Sequence, residues 1–248
     1  MLCVQGVSAI IGGYGYRYGY GFDPTYWLII VAAVLSLIAQ WKVSSTFKKY
    51  SKVASMRGVT GAQAADMILR NNGITDVAIQ RVSGSLTDHY NPAQKTLNLS
   101  ETVYSSSSVA AIGVAAHECG HAIQHAKGYG PLSIRSKLVP VANIGSKLSW
   151  IFIMAGIFFG LNQLLINIGI ILFSAAVLFQ IVTLPVEFNA SSRALDNIES
   201  IGILTSDETS QSRKVLSAAA LTYVAAAASA ILQLLRLVIL YGGRRRDD

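Results

Sequence analysis

Residues 149–186 read SWIFIMAGIFFGLNQLLINIGIILFSAAVLFQIVTLPV, and no Asp, Glu, Lys or Arg interrupts them. About 20 predominantly apolar helical residues cross a bilayer core. The stretch is therefore long enough for two closely packed spans, and residues 148–184 are predicted to form a transmembrane hairpin turning near residues 161–163. Two further stretches share its character. Residues 27–41 are uncharged with a Trp at either end, and residues 215–241 carry Arg236 as their one charge. The whole chain of 248 residues is 52% hydrophobic and 13% charged, with a mean hydropathy of +0.46. A soluble domain carries about a quarter charged residues, so half that share predicts lipid contact. The expected fold class is a mostly α integral membrane protein, with transmembrane helices at 26–41, 148–184 (two) and 215–241, and the lipid bilayer as its first partner.

The formal net charge of +7 raises the possibility of a nucleic-acid binder. Placement argues otherwise. Twelve of the twenty basic residues lie within 42–147, and Lys42, Lys48, Lys49 and Lys52 directly follow the first apolar segment. That is a positive-inside flank rather than a binding stripe, and no nucleic-acid partner is expected. It predicts a multi-pass protein of the plasma membrane. Residues 1–25 would lie outside, and residues 42–147 and 185–214 on the cytoplasmic face. The N-terminus has neither the basic start nor the small-residue cleavage site of a signal peptide, so the first span reads as an uncleaved anchor. Residues 12–21, GGYGYRYGYG, form a low-complexity surface segment. The two cysteines, Cys3 and Cys119, flank that anchor, so no disulfide is expected between them. If residues 215–241 span, the tail 242–248 with Arg244, Arg245 and Arg246 ends outside, against the charge bias.

Between the first anchor and the hairpin the pattern changes to that of a small α+β region. Residues 60–73, TGAQAADMILRNNG, have a Thr60 cap and Gly73 as stop. Three short β-rich runs follow, VAIQRVS (77–83), LTDHY (86–90) and KTLNLS (95–100), and suggest an antiparallel meander. Residues 105–131, SSSSVAAIGVAAHECGHAIQHAKGYGP, open with serine caps and close with Lys-Gly and Pro, which predicts one helix. After the hairpin, Pro185 is expected to lead into a separate helix over EFNASSRALDNIES (187–200), ended by Gly202.

The capped helix carries His117-Glu118-Cys119-Gly120-His121, an H-E-x-x-H string. Residues four apart on a helix are offset by about 40° and rise about 6 Å, so both imidazoles can meet one metal. Glu118 sits beside them, placed to take a proton from water acidified by zinc. A catalytic zinc needs a third protein ligand and an open position. Four histidines are present, His89, His117, His121 and His125. His125 shares the face but would lie about 12 Å from His117 on a straight helix. Glu187, the first charge after the hairpin, returns to the same membrane face and is the better candidate. His89, before Pro92, would either bind substrate or serve a turn. Cys119 should point into the core, Asp196 and Glu199 into solvent, and the run AAALTYVAAAASA (218–230) should allow close helix packing. An edge of the sheet could pair with an extended protein or peptide substrate.

Taken together, HECGHAIQH (117–125), LTDHYNP with KTLNLS, LPVEFNASSRAL (184–195) and LSAAALTYVAAA (216–227) resemble the YugP-like family of neutral zinc metallopeptidases. The resemblance runs over nearly the whole chain from Phe22. More distantly, H-E-x-x-H followed by E-F-x-A resembles the membrane gluzincins of the HtpX and Ste24 type. The resemblance implies a zincin-like catalytic region holding one zinc ion, with His117, His121 and Glu187 as ligands and Glu118 as general base. It also implies a membrane-bound endopeptidase. The chain departs from the distant relatives at Ser191, where they have Asp, and Asn189 is the nearest substitute. The competing expectation is a membrane scaffold that binds zinc without proteolysis.

Overall fold

The computed structural model describes residues 23–242. The Gly/Tyr-rich segment, Cys3 and the terminal arginines lie outside them. Seven helices and three strands are present among the described residues: α1 (Tyr26–Tyr50), α2 (Gly61–Asn71), β1 (Ala78–Val82), β2 (His89–Asn91), β3 (Thr96–Ser100), α3 (Glu101–Tyr104), α4 (Val109–Ala126), α5 (Gly130–Phe158), α6 (Gln163–Ser200) and α7 (Ser206–Tyr241). Four of them, α1, α5, α6 and α7, are long and apolar enough to cross a membrane.

Local signals start and stop these helices where the sequence places them. In α2 the Thr60 side chain accepts from the Gln63 N–H while Gln63 reciprocates, a capping box, and Gly73 follows its end at φ 71°. Ser108 caps α4 by accepting from the Ala111 N–H, and Gly128 at φ 62° follows Lys127 at its far end. The chain turns between α5 and α6 at residues 159–162, where Gly160 and Leu161 both take positive φ.

Four boundaries differ from expectation, one of them the start of α7, which lies at Ser206 with a Thr205 capping box rather than at residue 215. The apolar run 27–41 is only the first part of α1, which continues through Lys42, Lys48 and Lys49 to Tyr50. The hairpin arms are likewise parts of longer helices. Pro185 does not begin a new helix: α6 is continuous from Gln163 to Ser200 with Pro185 inside it. A proline removes one N–H and strains the preceding turn, but helix neighbours and Ser/Thr side chains offset this in a bundle. Here Val186 and Glu187, directly after the proline, are packed inside the protein, so tertiary contacts hold the helix through it.

The sheet is also a correction. Its order is β1-β3-β2, with β1 parallel to β3 and β2 antiparallel to it, so it is mixed rather than an antiparallel meander. β3 takes the centre because both of its faces are buried. Leu97 and Leu99 face the main core. The polar face is closed by hydrogen bonding: Asp88 accepts from the Ser100 N–H and hydroxyl, and Asn98 donates to Thr96 Oγ1 and meets His89 Nε2. Satisfying those buried groups requires residues 88 and 89 beside β3, which sends β1 to its other side. β1 and β2 are thereby left as the two edges, and β2 is the one whose Tyr90 N–H meets Glu118 of α4.

The main core gathers α2, β3, α3, α4 and the end of α6 around Ile68, Leu97, Ile112, Ile123 and Ile198. Cys119 lies wholly inside it as a free thiol, pushed up in pKa by burial, and Asp196 and Glu199 are exposed. A smaller cluster of Ile153, Phe173, Val177 and Leu237 joins α5, α6 and α7. α1 and α7 run antiparallel, with the Ser36 and Ser229 hydroxyls 3.2 Å apart. At one end of the pair Arg236 Nη2 meets Asp23 at 2.9 Å and stacks over Tyr26. The single charge of the last apolar stretch is thus paired within the protein.

The contact that positions the site is the crossing of α4 over α6. A Cβ on Gly120 would lie 2.4 Å from the Ala190 carbonyl oxygen. Gly120→Ala is therefore expected to force the helices apart, cost about 1–3 kcal/mol as overpacking, and lower zinc retention. Thermal unfolding and metal content of the purified variant check this; unchanged values for both would show that the crossing tolerates a methyl group.

Candidate active site

α4 presents His117 and His121 on one face, and α6 brings Glu187 against them. His117 Nε2 and His121 Nε2 lie 3.3 and 3.5 Å from Glu187 Oε2. The ligand atoms of the three residues all fall within 4.8 Å of one another. The two imidazoles stand edge to face with centroids 4.8 Å apart. Ligand atoms bound tetrahedrally at about 2.1 Å stand about 3.4 Å from each other, and the two measured separations match that spacing. Glu187 Oε2 is buried and has no hydrogen bond of proper geometry. An ionised oxygen in that position needs a cation, so the donor set fits zinc.

The opposite side of each imidazole is held by the protein. His117 Nδ1 lies 3.1 Å from Ser191 Oγ. His121 Nδ1 lies 3.0 Å from Gln124 Oε1. A carbonyl oxygen only accepts, so His121 carries its proton on Nδ1 and leaves Nε2 free for a metal. Gln124 is fully buried, and its amide donates to the Val186 carbonyl at 2.8 Å and to Asn189 Oδ1 at 3.1 Å. Arg193 Nε donates to the same Asn189 oxygen at 2.7 Å. Ser191, the point of departure, thus orients His117, while Asn189 acts through Gln124. Burial pushes the His121 pKa down, but the Glu187 carboxylate close by and the Glu118 charge more than offset this and leave it raised. The site favours positive charge.

Glu118 is nearly buried beside the pair, and its Oε2 accepts the Tyr90 N–H of β2 at 3.0 Å. A cleft of about 620 Å³ opens over it. Its walls include His89, Tyr90, Arg135, Glu187 and Tyr223. Arg135 Nη2 stands 3.6 Å from Glu187 Oε1, while its buried Nε has no hydrogen-bond partner.

The structure thus brings His117, Glu118, His121 and Glu187 together and leaves His125 out of the cluster. His125 Nδ1 instead pairs with the Tyr90 hydroxyl at 2.9 Å. His89 lines the cleft, but Nδ1 is bonded to the Thr87 carbonyl at 2.9 Å and Nε2 lies 3.2 Å from Asn98 Nδ2, so both ring nitrogens are engaged. Sequence reasoning missed Gln124, Arg135 and Tyr223. For Gln124 a signal existed: it follows His121 by three residues, within reach on the same helix. Arg135 and Tyr223 sit on separate long helices, and no local pattern marks them.

Since Ser191 and Gln124 touch only the far side of each imidazole, Gln124→Ala and Ser191→Ala should weaken zinc binding by about 10- to 100-fold without abolishing it. Competition with a zinc chelator checks this. Affinity equal to the parent in both variants would show that the imidazoles need no such support.

A family model described as "Putative neutral zinc metallopeptidase" matches residues 25–242. The chain is 52% identical over 222 residues to a Bacillus subtilis (strain 168) protein named "Putative membrane protease YugP", covering 89% of this chain and 98% of that protein. No solved structure matches it. A match of that extent, over a chain whose two helix-borne histidines face a buried carboxylate, places this protein in the neutral zinc metallopeptidase family.

Proposed function

We propose that the protein is a membrane-bound zinc endopeptidase of gluzincin type, with a zincin-like cleft at the cytoplasmic face. The observation that carries this reading is the separation of 3.3 and 3.5 Å between the two histidine Nε2 atoms and Glu187 Oε2, with Glu118 alongside. His117, His121 and Glu187 would hold a single zinc ion. When bound, the ion supplies Lewis acidity to the scissile carbonyl and acidifies the attacking water. Glu118 takes the water proton on its carboxylate and passes it to the leaving amine. The Tyr90 N–H donated to Glu118 Oε2 keeps that carboxylate turned toward the cleft. β2, the edge strand along the cleft, offers main-chain groups to an extended peptide, so unstructured segments suit it better than folded domains. His89 at the rim stabilises the turn before β2 and reaches substrate only by giving up one of its present bonds.

Glu118→Gln should retain zinc at the parental level and lose hydrolysis of an unstructured peptide by roughly 10²- to 10⁴-fold. Glu187→Ala, in contrast, should lose the metal while the protein still inserts. Full peptidase activity in a contamination-free Glu118→Gln sample would end the enzyme reading. Zinc binding with no peptidase activity in the parent, across unstructured substrates, would leave a metal-binding scaffold instead.

We further propose that the protein crosses the plasma membrane several times, with Lys42, Lys48 and Lys49 inside. The antiparallel pairing of α1 and α7 supports a matching orientation for both. The Asp23–Arg236 end then faces out, and the cleft faces the cytoplasm. In a Cys3→Ser background, with Cys119 buried, Asp248→Cys should react with an impermeant thiol reagent in intact cells. Ser206→Cys should react only after permeabilisation. Outside labelling at position 206 would reverse the orientation; protection at both positions would remove α7 from the set of spans.

A further inference from the structure

A second cavity, about 590 Å³, opens between α1 and α7, away from the zinc cleft. Lys42, Thr46 and Lys49 line it from α1, and Arg213, Lys214 and Ser217 from α7. It lies at the opposite end of the helix pair from Asp23 and Arg236. Some cations elsewhere are ion-paired: Arg70 meets Asp66, Arg81 meets Glu101, Lys95 meets Asp76 and Arg236 meets Asp23. Among the described residues no carboxylate pairs with any of the four cations here. Glu208, on the same helix, is occupied by the Met56 and Thr205 N–H groups.

Depth adds a second observation. Lys42 follows Trp41, which is 71% exposed at the end of the apolar face of α1, and Leu221 gives the cavity an apolar edge on α7. The cavity therefore straddles the change from apolar helix surface to charged helix end, which is the level of lipid headgroups. Four cations without a carboxylate partner, Lys49 among them lying over the Tyr50 ring at 5.3 Å, suit the oxygens of a phosphodiester together with the hydroxyls of Thr46 and Ser217. The four positive charges repel a choline or ethanolamine cation.

We propose that this cavity binds the headgroup of an anionic phospholipid, with the acyl chains lying along α1 and α7. The inference rests on the reading of α1 and α7 as membrane-crossing helices. The phosphodiester charge would screen the like charges that face one another across the two helices and hold their ends together.

The test uses the full chain in vesicles of equal phosphatidylglycerol and phosphatidylcholine, extracted gently and analysed by native mass spectrometry. Phosphatidylglycerol should be retained in preference, and each of Lys42→Gln, Lys49→Gln, Arg213→Gln and Lys214→Gln should lower its retention by roughly fivefold. A control quartet of the same charge loss, Lys52→Gln, Arg57→Gln, Lys127→Gln and Lys147→Gln, should keep it. Single substitutions keep the experiment readable where a quadruple variant fails to fold. Equal retention of the two lipids, or equal loss in the control quartet, overturns the proposal. So does displacement of the lipid by millimolar inorganic phosphate, which would identify free phosphate as the occupant. Carbonate extraction of the same membranes separates this outcome from failure of the spanning assignment: a chain that resists extraction yet shows no lipid preference sinks only the headgroup site.

Discussion

The cleft depends on a close crossing of two helices of different origin. α4 is a helix of the α+β region, and α6 continues a long apolar helix past its uncharged run. Gly120 lets the α6 backbone approach until a Cβ would overlap the Ala190 carbonyl. One turn to either side of that contact, His117 reaches Ser191, and the buried Gln124 reaches Val186 and Asn189. The metal-competent spacing of His117, His121 and Glu187 is thus a consequence of backbone contact, locked by side-chain hydrogen bonds on both sides. Glycine at an otherwise unspecified position of the H-E-x-x-H string is where packing enters the chemistry.

The same crossing places a carboxylate where an isolated one would be costly. Glu187 is 2% exposed, and one of its oxygens has no hydrogen bond. Burying an ionised carboxylate is unfavourable unless positive partners surround it. Two imidazoles and the guanidinium of Arg135 surround this one. The electrostatic design is that of a cation site, and the raised pKa of His121 expresses it in proton binding. Glu118 stands outside the cluster, with one oxygen accepting from the Tyr90 N–H of β2.

Much of this was legible in the chain. The capped helix over 109–126, the apolar hairpin and the pairing of His117 and His121 follow from hydrogen-bond caps and from periodicity, both of which act within a few residues. Glu187 was reachable because a hairpin returns its ends to one face, so the first charge beyond it lies near the charge-bearing region before it. Ser191 was recognised as a departure, but its contact with His117 was not. The sheet is mixed where the three β-rich runs suggest an antiparallel meander. β-strand patterns report which residues alternate, not which strand stands in the middle; Asp88 and Asn98 decided that through buried hydrogen bonds.

The sequence by itself determined the four apolar stretches and the caps of α2 and α4, because hydropathy and capping are properties of neighbouring residues. The tertiary structure alone decided that Pro185 lies inside an unbroken helix, that Arg236 is paired with Asp23, and that Gln124, Arg135 and Tyr223 wall the cleft. Each of these joins residues far apart in the chain. Their energies come from packing and charge partners that exist only once the helices lie side by side, and no local pattern carries them.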